Sequence, residues 1–318
     1  MLALFLVAML GGTEISVVKD IEYSPEGKKM DIYFPRNTSK EESPAVILLY
    51  AGGWLFGDKK DFSRWGSEFA NAGIVAVVIN YSMLVDRPPG TGFFERNEIE
   101  YHQSEKNLSN AFLEQEGFDP DDIDIEPTIE ASIRDLGFAF AYVSNMPEVD
   151  GKNISLWGES AGGIIILHAS MFGLVEPEKV FLYAAAVSPD TLAKASVPVT
   201  WQTLMIHGKG DPLFPIEDAR QTAKYLSADL REREAGEGHF IMADEVELWF
   251  LRKEGFSWLS DKQRRDDIVT KASTSFSSES KLIDFGVIII CFLLGGVSLI
   301  FLSLFLRSHQ KKPRISIG

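Results

Sequence analysis

The chain has 318 residues, of which 46 are acidic and 31 are basic, and its formal net charge is −15 at pH 7. Such an acidic balance argues against binding to nucleic acid, because phosphate contacts need clustered lysine and arginine. Its single cysteine, Cys291, excludes an intrachain disulfide bond. A folded domain in this chain must therefore rely on its hydrophobic core.

The first apolar run that predicts a strand buried on both faces of a sheet is residues 45–50. Ala51, Gly52 and Gly53 follow it directly. Small residues at the end of a central strand let backbone N–H groups approach a developing oxyanion, but a tight turn also needs glycine. We expect Asp58, a few residues later, to cap or brace this loop rather than to react.

A long segment, residues 84–126, interrupts the pattern and exceeds the usual loop length of a compact domain. Residues 95–130 contain twelve acidic and two basic residues, a local net charge of −10. One interpretation is a solvated insert, and the other is a lid or rim that disfavours anionic substrates or meets a basic partner. Residues 119–124 lack the glycine and spacing of a calcium loop, so we expect no metal site.

Alternating strand and helix patterns from residue 45 onward indicate an α/β fold with a mainly parallel sheet. Further strands are expected at residues 74–81 and 180–187, and a helix is expected to begin near Pro127. We expect Asp135, on that helix, to lie at the surface or behind a functional site.

The sequence Gly158-Glu159-Ser160-Ala161-Gly162 lies between an apolar strand pattern, residues 153–157, and a packed helix pattern, residues 163–171. A serine between two glycines at such a junction is typical of the nucleophile elbow, a sharp turn that exposes the hydroxyl. The five-residue motif is frequent by chance, so its context decides its meaning. We expect Glu159 to pack rather than to react.

Two later motifs supply that context. Residues 203–208 predict another core strand, and Asp211 precedes a proline that stops both helix and central strand, which places its carboxylate on a loop. His239 lies on a loop before an apolar helix, whereas His207 ends the strand and is expected to be structural. The chain order Ser160, Asp211, His239 is the order that α/β-hydrolases use.

Together these motifs resemble the esterase and lipase group of α/β-hydrolases, in particular small carboxylesterases with an HGGGW-like oxyanion loop and a GESAGG elbow. The resemblance covers about residues 17–259 and includes a D-x-Y-x-P hairpin at residues 31–35 and the Gly-Asp-Lys sequence at residues 57–59. It implies an α/β-hydrolase fold with a mostly parallel central sheet flanked by helices.

The resemblance also implies roles for particular residues. Ser160 would be the nucleophile, His239 the general base and then acid, and Asp211 the residue that orients the imidazole. The backbone N–H groups of Gly52, Gly53 and Ala161 would form the oxyanion hole, and no metal or organic cofactor is implied.

Tyr50 and Ala51 depart from the family pattern, which has His-Gly at these positions. Because the oxyanion donors are backbone groups, Ala51 preserves the hole unless its φ must be positive. The phenol of Tyr50 either replaces the structural hydrogen bonds of the histidine or adds an auxiliary donor to the oxyanion.

Residues 285–306 contain no charge over 22 positions, and about 20 such residues span a bilayer as a helix. A Ser-rich stalk, residues 263–284, precedes this predicted transmembrane helix, and a basic tail, residues 307–318, follows it. The positive-inside rule places the tail in the cytosol. We therefore expect a hydrolase domain of residues 14–262 tethered to a membrane.

The side of the membrane on which the domain lies depends on the N-terminus. Residues 1–13 are a candidate signal peptide without a basic start. Asn37 and Asn107 are the better glycosylation acceptors among four N-x-[ST] sequences. These features favour a lumenal or extracellular domain, and the alternative is a tail-anchored enzyme that faces the cytosol.

The leading hypothesis is a membrane-tethered serine carboxylesterase that hydrolyses small-molecule or lipid esters through an acyl-enzyme intermediate. An inactive adhesion or binding module on the same fold is one alternative, since fold does not fix function. An amidase or peptidase with the same triad is the other. The sequence identifies no protein partner.

Overall fold

A sheet of eight strands forms the centre of the computed structural model, which describes residues 15–36, 42–84, 125–234, 239 and 245–261. The strands are β1 (Ser16–Glu22), β2 (Lys29–Phe34), β3 (Ser43–Leu49), β4 (Val75–Ile79), β5 (Val149–Glu159), β6 (Lys179–Tyr183), β7 (Gln202–Gly208) and β8 (Asp229–Arg233). They lie in the order β1-β2-β4-β3-β5-β6-β7-β8. The β1/β2 and β2/β4 pairs are antiparallel and the other pairs are parallel.

Helices flank this sheet. Within the described ranges they are α1 (Ser63–Asn71), α2 (Glu126–Ser144), α3 (Ala161–Met171), α4 (Pro189–Lys194), α5 (Ile216–Leu226) and α6 (Glu245–Ser260), with a 3-10 turn at Lys59–Phe62. α2 packs against α3 and β5, and α1 packs against α6. None of the helices described in these ranges is long and apolar enough to cross a membrane.

The predicted parallel core is confirmed, because the strands from β4 through β3 to β8 pair in parallel, and β4 and the last five residues of β3 are buried. The strand expected at residues 180–187 ends earlier, at Tyr183. Ala184 adopts a φ of 49° and its N–H donates to the carbonyl of Ile206 on β7. This left-handed residue turns the chain out of the sheet.

The last strand, β8, was not expected from its charged sequence. Its charges have partners on two helices: Glu232 accepts from Arg220 of α5 at 2.8 Å, and Arg231 and Arg233 both pair with Glu254 of α6. Successive side chains of a strand point to opposite faces, so α5 and α6 cover different faces of this sheet edge. Ion pairs thus replace apolar burial in β8.

The loop after β3 is braced on the N-terminal strands by Lys59. Its buried ammonium group lies 2.6 Å from Asp31 on β2 and 3.1 Å from Asp20. Burial lowers the pKa of Lys59, but the hydrogen bonds that it donates to these two carboxylates outweigh burial and raise it. Asp58 accepts from Lys60 N and from the Asn80 amide, so the expected cap at Asp58 is confirmed.

Helix α2 holds the loop after β4 through Asp135. The carboxylate is 1% exposed and accepts from Ser82 N at 2.8 Å. Of the two positions expected for Asp135, the structure excludes the surface, because the helix turns this residue toward the sheet and the loop after β4. Burial raises the pKa of Asp135 from 3.8 to about 6, although the Ser82 hydrogen bonds oppose the shift.

Several predicted segments lie outside the described residues. They are the candidate signal peptide, nearly all of the acidic insert, the glycosylation sites Asn37 and Asn107, the Ser-rich stalk, the transmembrane helix and the basic tail. The described helices and strands belong to the unit formed by residues 1–260.

The pKa of Asp135 predicts how stability depends on pH. The folded chain binds this proton more tightly than the unfolded chain, so the free energy of unfolding falls as pH rises from about 4 to 6, by about 3 kcal/mol. Asp135→Asn keeps an acceptor for Ser82 N–H but cannot ionise, so it should remove this part of the slope. Urea unfolding of both proteins between pH 4 and pH 8 measures the difference, with the exposed Asp229→Asn as a control. Parallel pH profiles for wild type and Asp135→Asn would contradict the assignment.

Candidate active site

Ser160 lies in the sharp turn between β5 and α3. Its φ of 50° and ψ of −118° are strained for a residue with a side chain. The turn is held by two backbone hydrogen bonds, from Ser160 N to the Tyr183 carbonyl at 2.9 Å and from Ile164 N to the Ser160 carbonyl at 3.0 Å. The hydroxyl is thereby fixed at the carboxyl edge of the parallel strands.

Gly162, in the first turn of α3, allows this helix to approach β3. A Cβ atom on Gly162 would lie 2.5 Å from the Leu49 carbonyl oxygen and 2.6 Å from that of Tyr50. No side chain fits at such distances, so even alanine would push the helix away from the strand. The glycine therefore sets the distance between Ser160 and the loop after β3.

Ser160, His239 and Asp211 form one continuous chain of hydrogen bonds. Ser160 Oγ lies 2.8 Å from His239 Nε2, and His239 Nδ1 lies 2.8 Å from Asp211 Oδ2. All three residues are buried. The carboxylate can only accept, so Nδ1 carries the proton and Nε2 is the acceptor that faces the serine hydroxyl. The structure thus brings together side chains that are up to 79 positions apart.

The loop after β7 holds Asp211 in place. Asp211 Oδ1 accepts from Leu213 N at 2.8 Å and from Phe214 N at 3.0 Å. Burial raises the pKa of Asp211, but hydrogen bonds from His239 and Phe214 and the charge of His239 outweigh burial and lower it. The carboxylate therefore stays ionised beside the imidazole.

His207, near the end of β7, supports the same loop through a hydrogen bond. It is fully buried, and its Nε2 donates to the Phe214 carbonyl at 2.8 Å and lies 3.6 Å from Asp211 Oδ2. Burial lowers the pKa of His207. A neutral ring fits the structural role expected for this residue.

The loop after β3 lies beside Ser160, because Leu49 and Gly158 are register partners on adjacent strands. Gly52 has a φ of 142°, and a Cβ there would lie 1.8 Å from the Phe56 carbonyl oxygen. Ala51 is absent from the described residues with positive φ, so alanine causes no backbone strain where the family has glycine. The loop can therefore keep its backbone path despite the departure at Ala51.

The Tyr50 ring packs beneath this loop. It stacks on Tyr81 with ring centroids 4.6 Å apart, and its hydroxyl lies 3.8 Å from Met83 Sδ. The Tyr81 hydroxyl donates to the Tyr50 carbonyl at 2.8 Å. These contacts favour the structural interpretation of Tyr50 over the auxiliary donor.

Trp54 joins the loop after β3 to two other elements. Its indole N–H donates to Ser132 Oγ on α2 at 3.0 Å, and its carbonyl accepts from Leu84 N at 2.8 Å. Together with the contact between Ser82 and Asp135, these bonds fix the loops after β3 and β4 on one helix.

Arg252, which reaches the elbow from α6, was not predicted from the sequence. Its guanidinium binds both carboxylate oxygens of Glu159, at 2.8 and 2.7 Å. A basic residue in a helix of mixed polarity gives little signal, because only the fold shows which side of the helix faces the sheet.

Within the described ranges, no group of three or more His, Cys, Asp or Glu residues could hold a metal ion.

The family model BD-FAE matches residues 30–89, which include most of β2, all of β3, the loop after β3 and β4. A comparison with curated protein sequences found no match.

Solved structures match over most of the chain. MGS-M1, an α/β hydrolase enzyme from a Medee basin deep-sea metagenome library, is 16% identical with a TM-score of 0.52, over 79% of this chain and 100% of its own. Propionate-bound esterase 2 of Thermogutta terrifontis is 17% identical with a TM-score of 0.55, over 78% of this chain and 94% of its own. The same esterase phosphorylated by paraoxon has 16% identity and a TM-score of 0.55 over the same shares. These likenesses, the BD-FAE match and the strand order together show that the chain has the α/β-hydrolase fold.

Proposed function

We propose that the protein is a membrane-tethered serine carboxylesterase with Ser160, His239 and Asp211 as its catalytic triad. The observation that carries the proposal is the 2.8 Å contact between Ser160 Oγ and His239 Nε2, continued at 2.8 Å to Asp211. A serine hydroxyl is a weak nucleophile until a base at this distance accepts its proton. Structural neighbours that are esterases support the same reaction class.

In the proposed first step, Ser160 Oγ attacks the ester carbonyl carbon while its proton moves to His239 Nε2. The ionised Asp211 stabilises the imidazolium that forms. The tetrahedral intermediate collapses, the C–O bond to the alcohol breaks, and Nε2 returns the proton to the departing oxygen. Water then attacks the acyl-enzyme by the same route, and the carboxylic acid leaves.

We assign the oxyanion hole to the backbone N–H groups of Ala161, Gly52 and Gly53. Ala161 begins α3, so its N–H is one of those at a helix start that lack an intrahelical acceptor. The register of β3 against β5 and the close packing at Gly162 support the nearness of the other two donors. One such donor typically contributes about 3–4 kcal/mol to transition-state stabilisation.

Uncharged, hydrophobic esters are the proposed substrates, with small molecules and lipids as the two sources. Phe214 packs on the His239 ring with centroids 5.5 Å apart. Phe56 lies in the loop after β3, where its N–H donates to the Gly52 carbonyl, and it is 46% exposed. Apolar side chains near the reacting atoms favour apolar acyl or alcohol groups.

The first test of this proposal is active-site labelling. A fluorophosphonate should label wild-type protein and should not label Ser160→Ala, and hydrolysis of a short-chain aryl ester should fall by at least about 10³-fold in the variant. A matched amide should react far more slowly than the ester, whereas comparable rates would favour an amidase. Wild-type protein that neither labels nor hydrolyses would instead indicate a binding module.

The role of Asp211 predicts a second result. Asp211→Asn keeps an acceptor for Leu213 N–H and Phe214 N–H but presents an amide to His239, which favours the tautomer with the proton on the wrong nitrogen. We expect kcat to fall about 10³- to 10⁴-fold with a small change in KM. Steady-state kinetics check this, and a loss of less than tenfold would argue that Asp211 does not orient His239.

We also propose that residues 285–306 anchor the chain and that the hydrolase domain is lumenal or extracellular. The uncharged length of this segment and the basic residues after it support the proposal. Full-length protein made in eukaryotic cells should then shift in mobility after glycosidase treatment, and the shift should vanish in Asn37→Gln/Asn107→Gln. Resistance of the wild type would favour the cytosol-facing, tail-anchored alternative.

A further inference from the structure

Glu159, the residue before Ser160, carries a carboxylate that is fully buried in the described fold. Arg252 Nε donates to Oε1 at 2.8 Å, Arg252 Nη2 donates to Oε2 at 2.7 Å, and Trp157 Nε1 donates to Oε1 at 3.1 Å. Both oxygens are thus bound in a fixed, bidentate geometry, which restricts orientation more tightly than a single contact does.

Arg252 connects this carboxylate to two further elements. It lies near the middle of α6, and its guanidinium lies 4.9 Å from the centroid of the Phe62 ring. Phe62 is the last residue of the 3-10 turn that follows the loop after β3. The Arg252 side chain is 18% exposed. Burial lowers the pKa of Arg252, but the charge and hydrogen bonds of Glu159 outweigh burial and raise it, so the guanidinium stays charged.

The position of α6 matters because the helix follows His239 closely in the chain. Five residues separate His239 from Glu245, where α6 begins. On β5, Glu159 directly precedes Ser160. The ion pair between Glu159 and Arg252 therefore connects the strand that ends at the nucleophile to the helix that follows His239.

A contribution to stability is a poor explanation for this pair. Removing two charges from water costs several kcal/mol, and apolar replacements of buried ion pairs are often as stable as the pair. Other contacts also hold α6, since Phe256 packs on Phe69 with ring centroids 4.8 Å apart and Glu254 pairs with Arg231 and Arg233. What the pair adds is a fixed direction and distance between helix and elbow.

We infer that Arg252 is a positioning residue: through Glu159 it fixes the elbow relative to α6, and so keeps Ser160 at hydrogen-bond distance from His239. The inference rests on the proposed function, because it assigns the pair a role in that proton transfer. A displacement of about 1 Å in such a relay can cost about 100-fold in rate.

The test uses the full chain and four variants. Arg252→Lys keeps the positive charge but loses the bidentate contact with Glu159, and Arg252→Met removes both the charge and the contact. The double variant Glu159→Leu/Arg252→Met removes the two charges together, so no unpaired charge stays buried. Glu254→Gln is the matched control, because it breaks an ion pair of the same helix that does not touch the elbow.

We expect kcat for the aryl ester to fall about tenfold in Arg252→Lys and about 100-fold in Arg252→Met, with KM changed less than about threefold. The double variant should regain most of the stability that Arg252→Met loses, measured by urea unfolding, yet keep a low kcat. Glu254→Gln should retain the wild-type kcat. Crystal structures should show a longer Ser160 Oγ to His239 Nε2 distance in the Arg252 variants alone.

Two results would overturn the inference. One is a folded Arg252→Met protein with wild-type kcat and an unchanged Ser160–His239 distance. The other is recovery of kcat in the double variant in parallel with its stability, which would reduce the pair to a structural contact. Failure of the proposed function is distinguishable, since wild-type protein would then hydrolyse no ester while the crystallographic distances still test the positioning role.

Discussion

The first turn of α3 packs directly against the carbonyl groups that end β3, and the reacting groups depend on this contact. Gly162 permits it, since a Cβ there would lie 2.5 Å from the Leu49 oxygen. The loop after β3 and the elbow after β5, which follow neighbouring parallel strands, are thereby brought close together, as the proposed nucleophile and oxyanion hole require. In a parallel sheet, both loops leave from the same edge, so topology alone makes them neighbours. The glycine then sets how close they come.

Buried polar contacts hold each loop at this edge to an element distant in sequence. Lys59 binds Asp31 of β2, Trp54 binds Ser132 of α2, and Arg252 binds Glu159 of β5. Charged groups in such places cost free energy to bury. Their common effect is to fix direction and distance around Ser160, as a preorganised site requires. These three contacts thus tie the surroundings of Ser160 to elements that are distant in sequence.

The sequence predicted the structure correctly where a local pattern determines the backbone conformation. Apolar runs predicted the parallel strands, and the glycines around Ser160 predicted the turn that the structure has. Two predictions were less accurate: Asp135, expected at the surface or behind a functional site, is not at the surface, and the strand expected at residues 180–187 ends at Tyr183. The pairing of Arg252 with Glu159 spans 93 positions and depends on the helix packing, which no local pattern encodes. β8 was not predicted for the same reason: its charged residues pair with residues of two helices, and no local pattern encodes those contacts.

The ion pairs of β8 also bear on how the chain meets other molecules. β8 ends the order of described strands, so one side of its backbone has no neighbouring strand in the sheet. An open edge of this kind can recruit a strand from a second chain and so begin aggregation. Arginine and glutamate alternate along β8 and project above and below it, so an incoming strand would have to place its side chains among charged groups that are already paired. The residues that hide this strand from sequence analysis therefore protect the sheet from growing beyond its own chain.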